Sequence, residues 1–131
     1  MSSVDSDTVK AYQKAGGAGP IYAQVGVCWG PSKEDAVKLA HEVWPNAGIQ
    51  GQASQELPAP AHFEELAQMV SPDDIEQAFP CGPDVEPILE KAREALDAGV
   101  THLYFHQIGP DQGPFLEMAA TEIVPALKKG R

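Results

Sequence analysis

The sequence predicts an α/β fold in which two parallel strands are packed against helices. The first strand is predicted over residues 21–28, where every odd position is apolar and the even positions carry Tyr, Gln, Gly and Cys. The second, over about 101–108, directly follows a helix over 85–98 that ends at Gly99. A helix feeding straight into a buried strand is the second half of a βαβ unit, whose strands are parallel.

Helices are predicted before, between and after the two strands. Their expected ranges are 5–15, 33–44, 61–70, 72–79, 85–98 and 114–129. Asp5 or Ser6 is expected to cap the first helix. The stretch 45–60, rich in Pro, Gly, Gln and Ala, is predicted to be a loop, and so is PCGPD at 80–84.

Several residues mark the helix ends. Ser32 with Asp35 predicts a variant capping box, and Ser71 followed by Pro72 predicts a capped start for the fourth predicted helix. Asp84 is expected to cap the helix over 85–98. Pro125 is expected to kink or interrupt the last helix, because proline lacks the N–H that the helix ladder uses.

Length and charge bound the class of protein. One domain is the natural expectation for 131 residues, and 43% hydrophobic with 21% charged residues is a globular composition. The net charge of −10 argues against nucleic acid and anionic membranes as partners. With two cysteines and no apolar stretch near 18 residues, we expect a cytoplasmic protein with reduced thiols.

Two strands are too few for a complete parallel sheet. Such sheets usually have more strands, and two strands leave two edges with unpaired backbone groups. The missing strands could come from a lost N-terminal part, from a separately encoded partner or from a second copy of the chain. A self-sufficient small α/β domain is the remaining alternative.

A set of motifs resembles one known family. VCWG, WPN, SQELPAPAHFE, PCGPD and HQIGPDQ occur in this order between about Val4 and Leu127. Together they resemble the C-terminal portion of luciferase-like oxidoreductases that use the deazaflavin coenzyme F420, in the branch named after F420-dependent glucose-6-phosphate dehydrogenase. The resemblance implies that residues 1–131 are a single incomplete region of a (β/α)8 TIM barrel. The two strands would be its last two, and 45–83 a helical insertion.

The resemblance also implies a chemistry. It is hydride transfer between a small organic substrate and F420, with FMN as the alternative cofactor. In the family, the catalytic residues and most cofactor contacts lie in the N-terminal part, so no catalytic residue is assigned here and the cofactor-binding residues are unknown. We expect little activity from the chain alone. The alternative is a non-catalytic half-barrel that assembles with itself or with a separate N-terminal partner.

The insertion bears on the substrate. Residues 45–83 contain no Lys or Arg and six acidic residues. A phosphate group is normally held by Arg, Lys or exposed backbone N–H groups. The sequence therefore favours a neutral or non-phosphorylated substrate over a sugar phosphate.

Candidate site residues lie where the two strands end. Barrel active sites form at the carboxyl ends of strands, with Leu103 and Phe105 expected to face the helices. The residues predicted to line a pocket there are Cys28, Trp29, His106, Gln107 and Asp111. Three roles stay open for His106: an acid/base near Asp111, a wall residue, or a hydrogen-bonded structural residue. Cys28 is favoured as a wall residue over a nucleophile, and the histidines are not at metal-ligand spacing.

Overall fold

The fold is built around a three-stranded parallel sheet. A computed structural model of the protein describes residues 6–49, 51 and 53–129. The strands are β1 (Tyr22–Trp29), β2 (Cys81–Gly82) and β3 (His102–Gln107), in the order β2-β1-β3. β1 and β3 pair in parallel from Tyr22 opposite His102 to Val27 opposite Gln107, which confirms the predicted parallel pair.

The prediction that PCGPD is only a loop is wrong, because Cys81 and Gly82 form β2. They pair in parallel with Cys28 and Trp29 at the carboxyl end of β1. A two-residue strand is too short to show an alternating pattern, so no sequence period marks it. Gly82 adopts φ +104°, and a Cβ there would lie 3.0 Å from the backbone of Lys33. This close approach explains the glycine.

The helices that were predicted agree with the expected ranges to within three residues. They are α1 (Ser6–Lys14), α2 (Lys33–Val43), α3 (Ala53–Glu56), α4 (Pro60–Ala67), α5 (Pro72–Ala78), α6 (Glu86–Asp97), α7 (Gln112–Met118) and α8 (Val124–Lys129). The predicted loop over 45–60 is partly wrong, because it contains a 3-10 turn at Pro45–Gly48 and the one-turn α3. The proposed cap at Asp5 lies outside the described residues.

The expected helix-end features are largely present. Ser71 and Asp74 form a reciprocal capping box, while Ser32 accepts a hydrogen bond from the Asp35 N–H at 3.3 Å. Asp84 accepts from the Glu86 N–H at 3.0 Å. The last helix is interrupted as expected: a π-turn at Ala119–Ile123 separates α7 from α8 just before Pro125.

The helices cover the two faces of the sheet unequally. Val25 and Val27 of β1 pack against α6, α7 and the π-turn, with Leu103 and Phe105 of β3 on the same side as predicted. Cys28 points to the opposite face, where α2 and α5 cover the carboxyl end of the sheet. Along the sheet order β2-β1-β3, the chain moves one way from β1 to β2 and the other way from β2 to β3. Because both connections are expected to be right-handed, the helices between β1 and β2 and the helix between β2 and β3 lie on opposite faces of the sheet. The amino-terminal half of the Cys28 face is left exposed.

Candidate functional site

A cavity of about 230 Å³ lies at the carboxyl ends of β1 and β3. The loop that follows β1, the loop that follows β3 and the first turns of α2 form its walls. Four of the five predicted pocket residues line it: Cys28, Trp29, Gln107 and Asp111. His106 is not among its lining residues. The cavity surface is mostly apolar, which suits a small, largely neutral molecule.

Gln107 is the residue that joins the two strand ends. It is only 7% exposed, and its side-chain amide pairs with the backbone of Trp29 on both sides. The Trp29 N–H donates to Gln107 Oε1 at 3.0 Å, and Gln107 Nε2 donates to the Trp29 carbonyl at 2.8 Å. These bonds continue the β1–β3 ladder beyond its last backbone pair. The amide that looked available for a ligand is therefore already paired within the fold.

Trp29 connects the cavity to the loop after β2. Its indole Nε1 donates to the Pro83 carbonyl at 3.2 Å, and its ring is half-buried against the cluster formed by β1, α6 and α7. This contact and the Gln107 bonds fix both the backbone and the side chain of Trp29. Trp29 is thus a rigid part of the cavity wall.

The two thiols near the cavity are protonated at neutral pH. Cys28 is 1% exposed, burial raises its pKa, and its Sγ donates to the Ile108 carbonyl at 3.6 Å. Cys81 lies opposite Cys28 in register, and burial is the main cause that raises its pKa to about 12, with smaller contributions from Cys28 and Glu76. A thiolate is the reactive form, so neither side chain is set up as a nucleophile. Cys28 acts as a packed wall residue.

His106 lies on the exposed face of the sheet. Gln24 Nε2 donates to His106 Nδ1 at 3.2 Å, and the ring lies 5.1 Å from that of Trp44, centroid to centroid. Asp111 instead lies at the cavity directly before α7, and its side chain accepts no capping hydrogen bond from that helix. The structure describes no hydrogen bond between His106 and Asp111. Of the three roles left open for His106, this geometry favours the hydrogen-bonded one.

Some residues of the cavity wall were not predicted from the sequence. Leu39 from α2 and Pro110 and Pro114 beyond β3 contribute to the walls. One signal was available: each long strand is followed by a Gly-Pro pair, at 30–31 and at 109–110. Gly109 adopts φ +102°, and a Cβ there would lie 2.8 Å from Leu39 Cδ2.

Two further features limit what the site can hold. Across residues 6–49, 51 and 53–129, no group of three or more His, Cys, Asp or Glu side chains is arranged to hold a metal ion. Lys33, beside the cavity at the start of α2, is paired with Glu76 at 2.8 Å.

Among the helices that the structure describes, none is long and apolar enough to cross a membrane.

Comparison with known proteins relates this arrangement to one group of enzymes. The chain matches no protein-family model. It is 28% identical over 85 residues to an F420-dependent glucose-6-phosphate dehydrogenase of Segniliparus rotundus, a match covering 65% of this chain and 25% of the relative. It is 26% identical over 106 residues to the enzyme of that name from Microbacterium testaceum, covering 81% of this chain and 31% of the relative. The chain thus spans only a quarter to a third of the length of these relatives.

A solved structure supports the same relationship at the level of the fold. An F420-dependent secondary alcohol dehydrogenase in complex with an F420-acetone adduct superposes with a TM-score of 0.65 at 15% identity. The match covers 91% of this chain and 39% of that enzyme. Together the comparisons confirm the predicted resemblance to luciferase-like, F420-dependent oxidoreductases, over part of their length.

Proposed function

We propose that this chain, a relative of the luciferase-like F420-dependent oxidoreductases, forms the part of such an enzyme that contributes the last two barrel strands. Residues 1–131 would be one incomplete barrel region, with 45–83 as its helical insertion. The parent reaction would be hydride transfer between a small organic substrate and the deazaflavin. One observation carries the proposal: the cavity lies at the carboxyl ends of two parallel strands, where barrel enzymes build their active sites.

The described residues do not form a complete F420 site by themselves. The cavity of about 230 Å³ is smaller than the roughly 300–1,000 Å³ typical of ligand pockets. Among the described residues that line it, the one buried polar side chain is that of Gln107, and it is already hydrogen-bonded to the Trp29 backbone. We therefore propose that the chain supplies one wall of the site and has little or no activity alone. The F420 in the relatives' names supports deazaflavin over the alternative FMN.

A neutral alcohol or ketone is the proposed class of substrate. Residues 45–83 carry no Lys or Arg, and the nearby Lys33 is engaged by Glu76. The structural neighbour is named as a secondary alcohol dehydrogenase and is bound to an F420-acetone adduct. Both observations support a non-phosphorylated substrate over glucose 6-phosphate, the substrate in the names of the curated relatives.

Titration with F420 tests the proposed function. The purified chain is mixed with oxidised or reduced F420, and absorbance is followed with secondary alcohols, ketones and glucose 6-phosphate. We expect no turnover. Micromolar binding together with turnover of any alcohol would show that the chain is a complete enzyme and would overturn the proposal of a barrel part.

A chimera with a relative gives a second test, in which F420 binding is the expected result. This chain replaces the matching 106 residues of the Microbacterium testaceum enzyme, and F420 binding is measured by fluorescence. The expected chimera folds and binds F420 but loses glucose 6-phosphate oxidation. A folded chimera that does not bind F420 would contradict the barrel assignment, and one that retains full activity on the phosphate would contradict the proposed substrate class.

The second candidate function is a non-catalytic half-barrel that assembles with itself or with a separate N-terminal partner. The exposed half of the sheet favours it, because parallel sheets are normally covered on both faces. β1 pairs with β2 only at Cys28 and Trp29, so its edge before Cys28 has no strand beside it in the described part of the chain. We also propose a cytoplasmic location, where thiols such as Cys28 and Cys81 stay reduced; both are free.

A further inference from the structure

Cys28 and Cys81 are the two cysteines of the chain, and they lie opposite each other on neighbouring strands. We propose that hydrogen peroxide converts them into a reversible disulfide that holds β2 against the carboxyl end of β1. The inference goes beyond the proposed function, because it requires neither F420 nor any other part of a barrel. It gives a role to two thiols that otherwise serve only as packed side chains.

The strand register brings the two side chains within bonding range. Cys28 and Cys81 are paired positions in the parallel ladder between β1 and β2. Neighbouring strands lie about 4.8 Å apart, within the roughly 4.4–6.8 Å between Cα atoms that a disulfide spans. Both side chains belong to the cluster covered by α2 and α5, so they project from the same face of the sheet. Rotation about side-chain bonds is therefore enough to bring the two sulfurs together.

Each sulfur is held in the reduced chain by one weak hydrogen bond. Cys28 Sγ donates to the Ile108 carbonyl at 3.6 Å, and Cys81 Sγ donates to the Phe79 carbonyl at 3.7 Å. A thiol is a weak donor, so turning either side chain away from its carbonyl costs little. The reduced pair is the resting state expected in a reducing compartment.

Cys81 is the thiol that reacts first, because it is the more accessible of the two. Cys28 is 1% exposed, whereas Cys81 is only partly buried. Burial is the main cause that raises the pKa of Cys81, Cys28 and Glu76 add to it, and the Lys33 ammonium group opposes them. While β2 is paired with β1, the thiols therefore stay protonated and resist oxidation.

Opening of β2 is the step that makes Cys81 reactive. The strand has only two residues, and the backbone bonds that hold it in place include one from the Cys28 N–H to the Pro80 carbonyl at 2.9 Å and one from the Gly30 N–H to the Gly82 carbonyl at 3.4 Å. Segments with few such bonds open more often than the core of a fold. Once in water, the Cys81 thiol returns towards its ordinary pKa of about 8.5, and a reactive thiolate fraction appears.

The proposed oxidation consumes one hydrogen peroxide and releases two waters. The Cys81 thiolate attacks one peroxide oxygen: an S–O bond forms, the O–O bond breaks, and the leaving hydroxide takes up the proton that Cys81 released. The Cys28 thiol then loses its proton and attacks the Cys81 sulfur: the S–S bond forms, the S–O bond breaks, and hydroxide leaves to become the second water. The two thiols lose two electrons and two protons, and the peroxide gains them. A dithiol reductant reverses the step at the partly exposed Cys81 sulfur.

The disulfide closes a loop that contains the helices between β1 and β2. Residues 29–80 lie between the two cysteines and include α2 to α5. In the reduced chain, the indole of Trp29 already ties β1 to the Pro83 carbonyl at 3.2 Å. A covalent bond at Cys28, which lines the cavity, fixes this whole segment to the cavity wall. Because the bond also restricts the unfolded chain, oxidation stabilises the fold.

Peptide mapping after oxidation tests the proposal on the intact chain. The chain is incubated with hydrogen peroxide, free thiols are alkylated in guanidinium, and trypsin releases Cys28 and Cys81 on separate peptides, 15–33 and 39–91. We expect these peptides joined by one disulfide within a monomer and separated again by dithiothreitol. Disulfides that join only separate copies would overturn the proposal. So would two fully alkylated cysteines, or Cys81 oxidised to sulfinic acid beside an alkylated Cys28.

Unfolding and exchange measurements test whether the disulfide holds β2. The oxidised chain should show slower amide hydrogen exchange over residues 80–83 and an unfolding equilibrium constant at least about tenfold smaller than that of the reduced chain. Cys81→Ser, given the same peroxide, is the matched control and should show neither change. An oxidised chain with unchanged exchange and unfolding would show that the disulfide does not hold the strand. Equal changes in Cys81→Ser would assign them to methionine oxidation and contradict the proposal.

A second control covers failure of the variant to fold. If Cys81→Ser is unfolded by circular dichroism, the oxidised chain is treated with dithiothreitol instead, which reduces the disulfide but leaves methionine sulfoxide in place. Exchange and unfolding should then return to the values of the reduced chain, and their failure to return would contradict the proposal. None of these measurements uses F420. A chain without the disulfide leaves the barrel assignment intact, and turnover with F420 leaves the disulfide intact.

Discussion

Replacing Gln107 by alanine should destabilise the chain by about 2–3 kcal/mol. The change removes two hydrogen bonds to the Trp29 backbone, at 3.0 and 2.8 Å. Each such bond contributes about 1 kcal/mol net, so losing both costs about 2 kcal/mol, and the unpaired donor and acceptor on the Trp29 backbone raise this cost towards about 3 kcal/mol. The added cost stays small because Trp29 is only partly buried, so water can reach part of its backbone.

Urea unfolding followed by both tryptophan fluorescence and circular dichroism measures this cost. Gln24→Ala is the matched control, since Gln24 is an exposed glutamine on the same sheet with one hydrogen bond to His106. It should cost no more than about 0.5 kcal/mol. If Gln107→Ala costs as little as Gln24→Ala, the amide does not hold the strand ends together.

Gln107→Glu provides a second, chemically specific test. One carboxylate oxygen can still accept from the Trp29 N–H, but the other then faces the Trp29 carbonyl without a proton to donate. The variant should therefore be destabilised at neutral pH and should recover part of the loss as the carboxyl group becomes protonated. A stability deficit that does not depend on pH would contradict this arrangement of the bonds.

Three further predictions follow from the local structure. Hydrogen bonds from the Ser71 N–H and hydroxyl lower the pKa of Asp74. Its carboxylate should therefore stabilise the fold above about pH 3.9, the ordinary Asp value, and the stabilisation should be lost as pH falls through the lowered pKa. Melting curves of Asp74→Asn and the unmodified chain should thus converge at low pH. Because burial raises the pKa of Cys28 and of Cys81, a thiol reagent at mildly alkaline pH should label both rapidly only after unfolding in guanidinium. Gly109→Ala should cost at least about 1 kcal/mol in urea unfolding, because φ is +102° and the added methyl group meets α2.

Two of these predictions have a matched control variant within the chain. Asp73→Asn removes a neighbouring carboxylate without touching Ser71, so it should not reproduce the convergence with pH. Gly113→Ala adds a methyl group in α7 with nothing within 4 Å of it, and it should stabilise the chain by about 0.5–1 kcal/mol. Equal effects at the two glycines, or rapid labelling of both thiols in the folded chain, would contradict the corresponding prediction.

The sequence predicted the parts of the fold that short-range patterns control. The alternation in 21–28 is enough to define β1, because Ala23, Val25 and Val27 are buried while Tyr22 and Gln24 between them are exposed. Gly99 correctly marked the end of α6, where it adopts φ +106°. Ser71 and Asp74 lie three residues apart, so their capping box can also be read locally.

Features that depend on distant residues were not predictable in the same way. β2 exists because Cys81 and Gly82 meet the end of β1 more than 50 residues earlier, and nothing within PCGPD reports that contact. Gln107 illustrates the same point for the site. A polar residue at a strand end suggests ligand binding, but its partner is Trp29, 78 residues away. Four of the five candidate residues lie at the cavity, yet their roles depend on packing.

The pairing of β1 with β3 has a consequence for how the chain is made. Hydrogen bonds between these strands join residues about 80 positions apart, as Cys28 and Ile108 show. At roughly 5–20 residues per second of synthesis, β1 leaves the ribosome roughly 4–16 s before its neighbour exists. During that time its apolar residues can be shielded only by segments already made, and α2 is the first to follow. The order of the strands and helices along the chain therefore sets how long the unpaired edge of β1 can form non-native contacts during synthesis.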